Sequence, residues 1–118
     1  MACRSAVRID PHKFVLVLST CAKSSVAERI AKALVREKLA ACVNIVPGLV
    51  SHFRWKNKVE RSREFLLLVK TRAALFPQLT ERVKELHPYV VPEIVSIPFG
   101  AGSNDYLRWI SEATVKER

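Results

Sequence analysis

The sequence predicts one α+β sandwich with the element order strand, helix, strand, strand, helix, strand, followed by an additional helix. Three observations predict it. Short runs of β-branched and aliphatic residues alternate with segments whose apolar residues recur at helical spacing. Two of the strands are separated by only a tight turn, the mark of a hairpin. The 118 residues, 49% of them hydrophobic, suit a single domain with a core of its own.

Each element follows from its residues. Residues 14–20, Phe-Val-Leu-Val-Leu-Ser-Thr, read as a central strand. Ser25 and Glu28 have the spacing of a capping box. Behind them Ala27, Ile30, Ala31, Leu34 and Val35 recur on one helical face that ends near Lys38. Residues 41–46 form a second strand, in which Cys42 reads as core, and Pro47 and Gly48 interrupt it as a kink or bulge would. Leu49, Ser51, Phe53 and Trp55 then alternate with Val50, His52 and Arg54. Lys56, Asn57 and Lys58 make a tight turn, with Asn57 suited to positive φ. The chain returns through residues 59–71, so these segments build one long hairpin. Residues 74–87 form a second helix with Leu75, Leu79, Val83 and Leu86 inward and Pro77 in its first turn. Residues 91–97 read as a short strand. Ser103 or Asn104 caps a last helix whose Leu107, Ile110 and Ala113 face inward. Right-handed crossovers fold this order into an antiparallel sheet with two helices on one face.

No apolar run reaches the ~18 residues of a membrane span. Residues 1–12 lack the apolar stretch of a secretory signal and read as a flexible N-terminal segment, which leaves 13–118 as the single folded domain. Cys3, Cys21 and Cys42 are too few and too scattered for a disulfide framework or a zinc knuckle. Reduced thiols and a cytoplasmic location fit them. The formal net charge is +9, with a pI near 10.0. Much of the excess lies in residues 54–63, where Arg54, Lys56, Lys58, Arg61 and Arg63 face one acid, Glu60. Such a patch suits phosphates, yet the signature of an RNA recognition motif is absent, so nucleic acid is not the expected partner. Gly48, Gly100 and Gly102 make no phosphate loop, and no nucleophile elbow occurs. The expectation is a binding protein rather than an enzyme, with no required cofactor.

The hairpin is too long for its domain. Fully extended, residues 57–71 span about 50 Å, whereas a globule of this length has a diameter of only about 35 Å. Its distal part, carrying Phe53 and Trp55, must project or fold back through bulges onto its own sheet. A projecting ribbon is marginal alone in water and finds cover on sister chains, so a homo-oligomer is expected.

Several segments resemble the CutA divalent-ion tolerance family. They are Leu39-Ala-Ala-Cys-Val-Asn-Ile-Val-Pro-Gly48, Trp55 with Lys58-Val-Glu60, Glu64 with Leu66-Leu-Leu-Val-Lys-Thr71, Glu85-Leu-His-Pro-Tyr89, Val91-Pro-Glu-Ile94 and Tyr106-Leu-Arg-Trp-Ile110. The similarity runs over residues 14–114. It implies a ferredoxin-like fold related to the trimeric PII signalling proteins, and a homotrimer held by strand pairing between subunits. It also implies divalent-cation or copper tolerance, as in bacterial members, or the recruitment of a protein partner, as in a mammalian member linked to the anchoring of acetylcholinesterase. Asn57 stands where the family usually has Gly, Val90 where an acidic or polar residue is common, and Lys56, Arg61 and Arg63 at positions often acidic.

His87 is the first candidate metal ligand, since imidazole binds Cu²⁺ and Zn²⁺ and the family uses this motif for metal. Glu93 is a candidate carboxylate partner and Cys21 a soft one. Equally, His87 reads as a helix-terminal histidine bonded to a carbonyl, and Cys21 as a small buried residue. No ligand pair is close in sequence, so any site is weak, open and assembled in space. Trp55, Glu64, Lys70 and Tyr89 are expected at the subunit junction, either lining a polar cleft that takes a small molecule or packing as interface.

Overall fold

The structure, a computed structural model, describes residues 8–116. Its strands are β1 (Phe14–Cys21), β2 (Cys42–Trp55), β3 (Lys58–Arg72) and β4 (Val95–Pro98). Its helices are α1 (Ser24–Arg36), α2 (Phe76–Leu86) and α3 (Asn104–Ala113). The sheet order is β2-β3-β1-β4, and every neighbouring pair is antiparallel. This is the expected βαββαβ sandwich with its additional helix.

Strand periodicity divides the sheet into two unlike faces. Val15, Val17 and Cys21 of β1 and Leu67 and Val69 of β3 point to one side. There they meet Val26, Ala27, Ile30 and Leu34 of α1 and Leu79 and Val83 of α2. The other side carries Leu16, Leu18, Leu66 and Leu68, continued on β4 by Val95 and Ile97, which are 46% and 48% exposed. Among the described residues only one end of that side is covered, where Leu107 and Ile110 of α3 pack with Phe14 and Ala41. A strip of aliphatic side chains is therefore left facing solvent.

Local chemistry sets the turns. Lys38 adopts φ 60° after α1, and the Leu39 and Ala40 amides donate to the Leu34 carbonyl. Gly48, at φ 87°, sits in the bulge that shifts the β2–β3 register between Val46 and Leu49. Lys56 and Asn57 both take positive φ and join Trp55 to Lys58 in a two-residue turn. The Ser103 hydroxyl caps α3 by accepting from the Tyr106 amide at 3.2 Å. The Thr71 hydroxyl, fully buried, donates to the Leu39 carbonyl at 2.7 Å. Thr71→Val is expected to cost about 1–3 kcal/mol by leaving that carbonyl unbonded. Urea unfolding reads the loss, and an unchanged midpoint would show that another donor takes over.

Four expectations need correction. Ser25 and Glu28 do not form a capping box, because α1 begins one residue earlier, with Lys23 in the N-cap position and no side-chain cap. Val35 turns to solvent, so the buried face of α1 is narrower than its apolar pattern. Cys42 belongs to no buried cluster, since it faces the uncovered side of the sheet opposite Lys70. The fourth strand starts at Val95 rather than residue 91: its ladder with β1 begins at the Leu18–Val95 pair, and Pro92 has no N–H to extend it. Ahead of β1, Asp10 caps a short 3₁₀ turn at Pro11–Lys13, and Ile9 packs on the Phe14 cluster. Cys3 lies outside the described residues.

The hairpin projects. The molecule measures 60 × 30 × 23 Å with a radius of gyration of 16.1 Å, against about 13–14 Å for a compact chain of this length. It does not fold back onto its own sheet. The bulge at Gly48 keeps Leu49, Ser51, Phe53 and Trp55 on the same side as Glu64 and the uncovered leucines.

Candidate cleft beneath the projecting ribbon

The end of β1, the projecting ribbon and the segment joining α2 to β4 border a concavity of about 660 Å³. Thr20, Phe53, Trp55, Glu64, Tyr89, Val91 and Glu93 are among its lining residues. Its geometry starts at the end of α2, where Pro88 follows His87 and the chain leaves the helix in extended conformation. His87 is buried and anchors this turn. Its Nε2 lies 2.7 Å from the Thr20 carbonyl, and its Nδ1 lies 3.1 Å from the Tyr89 amide nitrogen. A carbonyl only accepts, so Nε2 carries the proton and Nδ1 accepts from the Tyr89 N–H. The Tyr89 ring sits 4.6 Å from the imidazole and directs its hydroxyl to Glu64 Oε2 at 2.7 Å. Burial, and after it the Glu64 carboxylate, pushes the Tyr89 phenol well above its ordinary value. The group therefore stays a neutral donor across the physiological range.

The sequence candidates fall into different places. Trp55, Glu64 and Tyr89 line the one cleft, with Glu93 beside them. Lys70 is elsewhere. It lies six positions along β3 from Glu64, on the uncovered face, where its ammonium group meets Asn44 Oδ1 and lies 3.9 Å from Cys42 Sγ. His87 has both ring nitrogens engaged. Cys21 has no exposure, and its thiol reaches the Lys23 carbonyl at 3.6 Å. Burial pushes that thiol up, and the Lys23 hydrogen bond only partly opposes this, so it stays protonated at neutral pH. Among the described residues no three His, Cys, Asp or Glu side chains stand together as a metal-binding group. His87 bonds a carbonyl, as one of its two readings has it; which carbonyl was not legible, because a backbone acceptor leaves no mark on residue type. The Tyr89–Glu64 contact joins two named residues that are 25 positions apart, with no local pattern to pair them.

A βαββαβ domain with an uncovered sheet face and a projecting ribbon defines a ferredoxin-like fold. Residues 15–113 match the family model described as CutA1 divalent ion tolerance protein. The chain belongs to that family. It is 58% identical over 99 residues to the divalent-cation tolerance protein CutA of Thermus thermophilus, covering 84% of this chain and 96% of that protein. It is 43% identical over 95 residues to mouse protein CutA, covering 80% of this chain but only 54% of that longer relative. The solved structure of the Thermus thermophilus protein superposes with a TM-score of 0.84 at 56% identity, over 86% of this chain and 99% of that one. CutA from Xylella fastidiosa gives 0.85 at 40% identity, over 87% and 99%.

Proposed function

We propose that the chain works as a homotrimeric, non-catalytic protein of divalent-cation tolerance, with copper among the ions it answers to, in the cytoplasm. The observation that carries this reading is the aliphatic strip on the sheet face away from α1 and α2, continuous with the exposed Phe53 and Trp55 of the ribbon. A surface of that kind is stable in water when other copies cover it. The number three comes from the family resemblance. The non-catalytic reading follows the naming of the relatives as tolerance proteins. The cytoplasmic placement rests on the scattered cysteines.

Cation capture enters the proposal as weak binding through Glu93, His87 and Cys21. Glu93 is the exposed member. His87 joins only by giving up the Tyr89 N–H at Nδ1, and Cys21 only by losing its proton, so affinity is low and falls with acidity. A second reading, a small-molecule-responsive scaffold that recruits a protein partner, is favoured by the size of the cleft.

Light scattering tests the assembly, with an expected mass of three times 13.4 kDa. A monomer at micromolar concentration would overturn it. Equilibrium dialysis with Cu²⁺ tests the ligands: His87→Ala is expected to weaken uptake, and unchanged uptake removes His87 from the set.

A further inference from the structure

We propose that Lys70 of one copy pairs with Glu64 of the partner subunit, so that a neighbour's ammonium group completes the cleft beneath the ribbon. The pair rests on the homotrimer reading. Both residues stand on the side of β3 that α1 and α2 leave uncovered, with Leu66 and Leu68 between them. Six strand positions separate them by about 20 Å, so the two cannot meet within one chain. Each is a charge without a counter-charge. Glu64 is only 6% exposed, and its Oε2 accepts from the Tyr89 hydroxyl, which orients the carboxylate without cancelling it. The Lys70 ammonium meets Asn44 Oδ1, a neutral acceptor, and lies 3.9 Å from Cys42 Sγ. Among the described residues neither forms an ion pair.

In a single chain, water reaches the half-buried Lys70. When another copy covers the aliphatic strip, that water is displaced, and a charge left alone there is costly. The charge that each copy lacks is the one its neighbour presents. Two such faces laid across each other in opposite directions set leucines on leucines. The ammonium end of one then lies over the carboxylate end of the other. In a closed ring of three, each copy offers Lys70 to one neighbour and receives the other's Lys70 at Glu64, so neither charge is left over. The opposite orientation brings Lys70 onto Lys70 and Glu64 onto Glu64, and is penalised. The pair therefore sets the direction and register of the contact. Lys58 and Glu60 share this side of the sheet, but both are exposed farther out on the ribbon, where water still serves them.

The test is a double-mutant cycle on assembly. Dilution followed by light scattering gives the midpoint of dissociation. Lys70→Met and Glu64→Gln are each expected to raise it about tenfold, and the double variant to be no worse than the worse single one. Additive losses, an unchanged midpoint in either single variant, or coupling of Lys70 with Glu60 in place of Glu64 would overturn the proposal. Should a variant not fold, or the assembly be too tight to dissociate, a crystal of the assembled parent chain decides. Lys70 Nζ is expected within about 4 Å of the carboxylate of Glu64 of the partner subunit, and a longer separation contradicts the pair. An intact trimer without the coupling removes the pair alone, whereas a monomeric parent chain removes the homotrimer reading and the pair with it.

Discussion

Leu68→Asp is expected to convert the assembly into single chains of 13.4 kDa that keep their secondary structure. Leu68 lies on β3, between Leu18 of β1 and Asn44 of β2, on the side of the sheet that α1 and α2 do not cover. It is half-buried in one chain and makes no part of the core beneath the helices. In an isolated chain the aspartate reaches water at little cost. In a covered sheet face it becomes a buried charge with no partner, which costs several kcal/mol per copy. That exceeds what most interface contacts contribute one by one. Light scattering reads the mass, and far-ultraviolet circular dichroism confirms that the helices survive. A Leu68→Asp variant that stays fully assembled would show that the strip is not the surface the copies share.

Leu34→Ala is expected to cost about 2–5 kcal/mol, a large part of the ~5–15 kcal/mol typical of a domain. Leu34 has no exposure and belongs to the cluster where α1 meets β1, β3 and α2. It also lies where α1 ends, since its carbonyl accepts both the Leu39 and the Ala40 amides. The truncation leaves a void in a core that cannot collapse around it, because the turn at Lys38 is pinned by those bonds. Urea unfolding at one fixed protein concentration measures it, since an oligomer's apparent stability depends on concentration. A loss below about 1 kcal/mol would mean that the helices yield and fill the space.

The fold was legible where periodicity and turn chemistry agree. The run of residues 14–20, the Pro47–Gly48 interruption, the Lys56–Asn57 turn and the Ser103 cap all lie where residue type predicts them. Length arithmetic alone implied that the hairpin must project or fold back. Where the reading failed, a neighbour decided. Val35 fits the helical period of α1 but none of the described residues covers it, and residues 91–94 look like strand but include Pro92 and make no ladder with β1. The cleft was half legible. Trp55, Glu64 and Tyr89, expected together at a subunit junction, line one cleft within the single chain. Lys70 was grouped with them by family position, and the length of β3 sets it apart within a single chain.

The ribbon has an electrical sidedness that matters before assembly. On the side opposite the aromatics, His52 stands across from Arg61 and Arg63 across from Val50, with Arg54 diagonal to Arg61, and no acid forms an ion pair with any of them among the described residues. Two such ribbons meeting on that side bring like charges together, which deters stray stacking of exposed strands. The side bearing Phe53 and Trp55 mixes both signs, with Glu60 opposite Phe53, Lys58 opposite Trp55 and Glu64 in the cleft, so it carries a weaker deterrent. In the proposed assembly the copies therefore have one favoured direction of approach, and the surplus of positive charge works as a guard rail rather than as a lure for polyanions.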